Sequence, residues 1–147
     1  MLANVLTEDT ALPDSDATSK EEVMQALLDM LCRTGKVSDP EQARLDLEAN
    51  ERRMSMGMEH GIAIPHAKTD TVRELIACVA VTRNELDIGS LDGRPARIFI
   101  MTLSPKGATG PHIQFLSEIG KRLKQRAVRQ AMLDARTRGE LLQALLG

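Results

Sequence analysis

Gly61-Ile62-Ala63-Ile64-Pro65-His66-Ala67-Lys68 sets an imidazole directly behind a proline that closes a short apolar run. Such a run reads as a strand, because Pro65 has no backbone N–H and pushes Ile64 into extended geometry. His66 therefore stands at the end of a stiff support. Gly61, and Gly57 ahead of it, let other backbone or a ligand approach closely. An imidazole held this way can act as base, metal ligand or nucleophile. A structural histidine at a strand end satisfies the same pattern.

The surrounding sequence alternates helical and strand-like segments. Residues 1–18, with the turn-prone Leu12-Pro13-Asp14-Ser15-Asp16, read as an arm and a loop. Ser19-Lys20-Glu21-Glu22 is a capping box, and Val23, Leu27, Met30, Leu31 and Thr34 follow at helical spacing until Gly35. Asp39 caps a second helix with Pro40 at its first position, running to about Arg52 and turning Ala43, Leu45 and Leu47 inward. Leu75 to Val81 and Ile98 to Leu103 are continuous apolar runs of strand length, the pattern of strands covered on both faces. Three helices close the chain: one from Pro111, one over about Gln125 to Ala135, and one from the capping box Thr137-Arg138-Gly139-Glu140 to Leu146. Helices flanking buried strands predict an α/β three-layer domain. No linker, low-complexity stretch or repeat interrupts residues 1–147, so one domain is expected.

Composition narrows the function classes. The formal net charge is −2, and the chain has two Phe but no Trp or Tyr. Neither charge nor aromatic stacking favours nucleic acid. No run reaches membrane-spanning length, and the N-terminus lacks a basic-then-apolar signal, which predicts a cytoplasmic protein without direct membrane insertion. Cys32 and Cys78 each fall in an apolar periodic segment and read as buried, reduced thiols. The eight Met residues read mainly as core filling.

His112 is the second candidate. Gly110-Pro111 places it in the first turn of a helix whose inward face continues through Phe115, Leu116, Ile119 and Leu123. Free N–H groups and the positive dipole end favour an anion there and keep a nearby histidine neutral. A capping or partly buried histidine fits the same residues. His60, His66 and His112 match no zinc spacing, and no metal or cofactor is expected. Ser55 and Ser104 lack a nucleophile-elbow context. The five cations from Lys121 to Arg129 read as a solvated helix face that can also receive an acidic partner.

Gly-Ile-Ala-Ile-Pro-His resembles the phosphorylation-site signature of IIA domains of the bacterial phosphoenolpyruvate-dependent phosphotransferase system (PTS). The likeness is to the EIIA type-2, fructose/mannitol class, which includes the nitrogen-regulatory IIA proteins. It extends over nearly the whole chain. Ser55 and Gly57 fit the stretch ahead of the signature. Leu91-Asp92-Gly93-Arg94-Pro95 fits the turn before the central strand, and Pro111-His112 with Leu116 and Lys121-Arg122-Leu123 fits the second-histidine helix. The resemblance implies a mixed β-sheet of about five strands flanked by helices on both faces.

It also implies a phosphocarrier. His66 would accept the phosphoryl group on Nε2 from the phosphohistidine of an HPr-like carrier, His112 would stabilise it if the two segments meet, and a IIB cysteine would receive it. The alternative is a nitrogen-type regulatory protein whose phosphorylation state controls binding to a transporter or kinase. Ser55, Gly57, Gly61, Asn50, Arg52 and Arg53 would form the phosphate environment. Three features depart from the family pattern. Asn50 stands where Arg is usual, with Arg52 or Arg53 as substitute cations. Met56 replaces a Thr, and Glu59-His60 replaces a Gly-Asn pair.

Overall fold

The two continuous apolar runs pair with each other. In a computed structural model, which describes residues 2–53, 56–90 and 92–147, they become β4 (Ile76–Leu86) and β5 (Ala96–Ser104). These strands run antiparallel, with Val79 opposite Ile100, at the centre of a five-stranded mixed sheet. Every residue from Ile76 to Thr82 is buried, as expected for strands covered on both faces.

The outer strands are short. On the far edge of β5, β2 (Ile62–Ala63) and β3 (His66–Lys68) lie end to end, both parallel to it. Ile64 and Pro65 form the break between them. Proline is tolerated on a sheet edge, and the carbonyl of Pro65 still accepts the Thr102 N–H at 3.1 Å. His66 therefore begins a second short strand rather than ending the first.

The remaining edge belongs to β1 (Ala11–Ser15), parallel to β4. This corrects the expected arm and loop: helix α1 (Leu2–Val5) and a 3-10 turn at Glu8–Thr10 lead into a strand. Pro13 and Asp14 hid it, since both favour turns. The edge position accommodates them through a register shift between Leu12 and Ser15 and a left-handed Asp14 at φ 51°. The carboxylate of Asp14 accepts two bonds from Arg83 on β4, at 3.0 and 3.1 Å.

Two helical layers cover the sheet. α2 (Lys20–Cys32) and α3 (Pro40–Arg53) bury Val23, Leu27, Leu31, Ala43 and Leu47 against Cys78, Ala80, Phe99 and Met101. On the other face, α4 (Thr109–Leu123), α5 (Arg126–Asp134) and α6 (Arg138–Leu146) pack Phe115, Ile119, Met132 and Leu141 against Val79, Val81, Ile98 and Ile100. Alternation along β4 and β5 thus divides one apolar run between two cores. The caps follow the sequence reading in part. Ser19, Asp39 and Thr137 accept the N–H groups of Glu22, Gln42 and Glu140. The carboxylate of Glu22, however, takes the backbone and hydroxyl of Thr18 instead of closing a reciprocal box. Cys78 is buried and Cys32 half-buried, both as free thiols.

Leu45 was expected on the inward stripe of α3 but is 43% exposed, whereas Ala43 and Leu47 are 0% and 4% exposed. Two residues along a helix turn the side chain by about 200°, so Leu45 cannot share their face. Leu47→Ala should lower stability by about 2–5 kcal/mol, and Leu45→Ala by less than about 0.5 kcal/mol. Urea unfolding of the two variants checks this phase.

Candidate functional site

The α4-facing side of the sheet changes from apolar to polar along its strands. Ile62 and Ile64 lie in the α4-side core, while Ala63 and Ala67 lie in the α2/α3-side core. Side chains alternate along a strand, so His66 and Lys68 continue the α4-facing row. Their register partners on β5 are Thr102 and Ser104, which follow Ile98 and Ile100 on the same face. The carboxyl ends of β3 and β5 therefore carry His66, Lys68, Thr102 and Ser104 together. Both hydroxyl residues are fully buried.

The start of α4 closes over this row. Its first residue is Thr109, so Pro111 occupies the third helical position and His112 the fourth, slightly deeper than the sequence reading. His112 is buried, and its ring centroid lies 5.5 Å from that of His66, with the planes tilted by 40°. The structure thus brings the two singled-out histidines together, 46 residues apart in sequence. Among the described residues no side chain caps the helix start, and its first turn holds no acidic residue. The N–H groups of Thr109 and Gly110 have no acceptor within the helix, and they supply the positive end of its dipole.

His66 has a defined tautomer. Its Nδ1 lies 2.8 Å from the carbonyl oxygen of Ile64. A carbonyl only accepts, so Nδ1 carries the proton and the neutral ring leaves a lone pair on Nε2. The Pro65 break makes this possible by folding the ring back onto the carbonyl two residues earlier. His112 is held below the ordinary histidine pKa, first by burial and then by its electrostatic interactions with His66 and Lys68, which would repel a proton on its ring. It is therefore a neutral imidazole at pH 7. Its Nδ1 lies 3.5 Å from the hydroxyl of Ser104. The ammonium of Lys68 donates to the hydroxyl of Thr109 at 3.0 Å, tying β3 to the helix start.

The other sequence candidates have different positions. The side-chain amide of Asn50 donates to the backbone carbonyl of His66 at 2.7 Å, bracing β3 from α3. Arg52 and Arg53 are exposed on the last turn of that helix. Gly57 packs where an added Cβ would meet Ser90 Cα at 2.7 Å, and Gly61 adopts φ 74°. Both glycines set the path of the loop into β2. Met56 is buried in the α2/α3-side core. Glu59 and His60 are exposed, and His60 takes the left-handed φ of 64°. Ser55 lies outside the described residues. Among the described residues no group of three or more His, Cys, Asp or Glu could hold a metal.

Lys68 and Ser104 join the site without being among the residues singled out by the sequence pattern. Period-two spacing from His66 would have suggested Lys68. Ser104 becomes visible only through the β3–β5 register.

The family model described as "Phosphoenolpyruvate-dependent sugar phosphotransferase system, EIIA 2" matches residues 4–147. Over 128 residues the chain is 33% identical to the fructose-specific EIIA component of Haloferax volcanii, covering 87% of this chain and 82% of that protein. A nitrogen regulatory protein of Pseudomonas aeruginosa is 28% identical over 145 residues, covering 99% of this chain and 94% of that one. The chain spans 23% of the fructose-specific EIIABC component of Bacillus subtilis, with 28% identity over 144 residues. The nitrogen regulatory protein IIA-Ntr of Neisseria meningitidis shares the fold, with a TM-score of 0.89 at 24% identity and 98% of each chain covered.

The depressed pKa of His112 has a stability consequence with a fixed sign. Below the unfolded-state pKa of about 6.5, the unfolded chain takes up a proton that the native imidazole resists. Stability therefore falls as the pH drops from about 6.5 toward the lower native pKa. His112→Asn should remove this component. In urea titrations at about pH 8 and about pH 5.5, the wild type should lose more stability between the two conditions than the variant.

Proposed function

Since the chain belongs to the EIIA type-2 family of the phosphoenolpyruvate-dependent sugar phosphotransferase system, we propose that it is a phosphocarrier with His66 as the phosphoryl acceptor. The observation that carries this reading is the 2.8 Å contact between His66 Nδ1 and the Ile64 carbonyl, which leaves Nε2 as the free nucleophile. The Nε2 lone pair attacks the phosphorus of an HPr-like phosphohistidine. The new N–P bond forms as the carrier's N–P bond breaks, and Nδ1 keeps its proton on the carbonyl throughout.

The surrounding groups meet the negative charge on the transferring group. His112 is neutral and buried against His66, so it can donate without contributing a repelling cation to the attacking ring. The Ser104 hydroxyl, donating to His112 Nδ1, keeps the proton of that ring on Nε2, where it can reach a phosphoryl oxygen. The free N–H groups at the α4 start and the Lys68 ammonium add fixed positive charge. Alignment and fixed donors are sufficient for such a transfer, with no metal required.

The phosphoryl group then passes to a cysteine of a IIB partner. Ile113, 61% exposed beside His112, gives a partner an apolar contact at the mouth of the site. The full-length similarity to a nitrogen regulatory protein supports a second reading, in which the phosphorylation state of His66 controls contact with a transporter or kinase. Phosphoryl transfer to a IIB cysteine would separate the first reading from the second.

Incubation with phosphoenolpyruvate, the first enzyme of the system and HPr should place one acid-labile phosphate on His66. His66→Ala should abolish labelling while leaving the circular dichroism spectrum intact. His112→Ala should slow labelling by about 10- to 1000-fold, the scale of losing one well-placed electrostatic donor. Ser104→Ala should slow it less, because it removes only the group that orients the His112 proton. Label that survives His66→Ala would place the acceptor elsewhere.

A further inference from the structure

A second cavity lies toward the other end of β5. Arg97 is the second residue of that strand, and Thr102, the register partner of His66, is five residues further on. At ~3.3 Å per residue, roughly 17 Å separate the two along the strand. The cavity holds about 420 Å³ and is lined by Arg94, Arg97, Arg126 and Arg129, with His60 and Glu85 among its other walls. Its size falls within the ~300–1,000 Å³ of small-molecule sites.

The charge of this cavity is only partly compensated: Glu85 is the one carboxylate in its lining, against four guanidinium groups. Among the described residues, none of the four guanidinium groups forms an ion pair with a carboxylate. The chain as a whole carries a formal net charge of −2, so this convergence does not reflect general basicity. Two of the groups are fixed by one nitrogen each. Arg97 Nε donates to the Thr82 carbonyl at 2.8 Å, and Arg129 Nη1 donates to the Leu123 carbonyl at 2.6 Å. Their remaining N–H donors stay available in a preorganised orientation. Arg126 is also the first residue of α5, whose start has no side-chain cap and no acidic residue in its first turn. Four like charges around one space repel, and a multivalent anion would relieve that repulsion.

We propose that this cavity binds a small metabolite bearing at least two phosphate groups. Guanidinium forks match phosphate oxygens bidentately, and several forks spread over one cavity suit several phosphates better than one. The lining contains no Phe, Tyr or Trp, and its four guanidinium groups make the phosphates the principal recognition element. Gly61, which also lines the cavity, accepts the backbone N–H groups of Arg97 at 3.0 Å and Ile98 at 3.2 Å. The occupant would thus rest against the loop that enters β2 and leads on to His66.

Calorimetric titration of the full chain with inorganic pyrophosphate tests this. Saturable binding at one site is expected, with orthophosphate about tenfold weaker or worse. The double variant Arg94→Ala/Arg126→Ala changes two exposed side chains, and an unchanged thermal midpoint would verify its fold. It should weaken pyrophosphate by at least about tenfold, on the scale of losing charge-assisted hydrogen bonds. His66→Ala should bind pyrophosphate like the wild type, which separates this site from the proposed acceptor. Absence of saturable binding, or binding unaffected by the double variant, would overturn the proposal. So would a glutamate-rich peptide that binds more tightly than pyrophosphate and is lost in the double variant, since it would assign the cavity to an acidic protein partner.

Discussion

The pairing of β5 along both edges is the constraint on which the rest of this protein depends. On one edge β4 runs antiparallel to it, and on the other β2 and β3 run parallel to it in series. One residue of slip in the β3–β5 register would turn His66 to the α2/α3 side and Ala67 to the α4 side, because strand side chains alternate with a period of two. The buried residues resist that slip. Ala67 lies in the α2/α3-side core and Ile64 in the α4-side core, so the register is pinned by apolar groups that take no part in the chemistry.

Within that frame, the proline break fits the edge to the site. A continuous edge strand would hold every side chain in the same pleat. Interruption at Ile64-Pro65 releases one carbonyl from the ladder, and His66 Nδ1 takes it. The carbonyl of Pro65 and that of His66 are meanwhile held by Thr102 and Asn50. Backbone on both sides of the break is thus anchored, and the imidazole is held against the Ile64 carbonyl. Such preorganisation is what the proposed phosphoryl transfer would need, because its fixed groups must be aligned before a donor arrives.

The charge distribution follows the same axis. At the carboxyl end of β5, cationic and dipolar groups surround two histidines in a partly buried row, and burial keeps His112 neutral. Toward the amino end, four arginines and Glu85 line an open cavity, and among the described residues none of the four forms an ion pair. A chain whose formal charge is slightly negative thus gathers four arginines around one cavity, apart from the histidine pair. A short segment joins the two places, since Gly61 is bonded to Arg97 and Ile98 and His66 follows five residues later.

Much of this was legible in the sequence because the information is local. The apolar runs that became β4 and β5, the caps at Ser19, Asp39 and Thr137, and the Pro-His pairs all depend on neighbours within a few residues. So did the α/β class, because continuous apolar strands need helices on both faces. The resemblance carried by Gly61–His66 and Pro111-His112 added the mixed sheet. Other features required contacts distant in sequence. β1 carries Pro13 and Asp14, so only its pairing with β4 makes it a strand. Asn50 reads as a lost cation in sequence but supplies an amide to the His66 carbonyl in the fold. Ser104 reached His112, and Arg94 and Arg97 met Arg126 and Arg129, only because β5, α4 and α5 pack as they do. Local sequence determined which residues could do chemistry; the tertiary register, set by alternating burial in two cores, decided which of them meet.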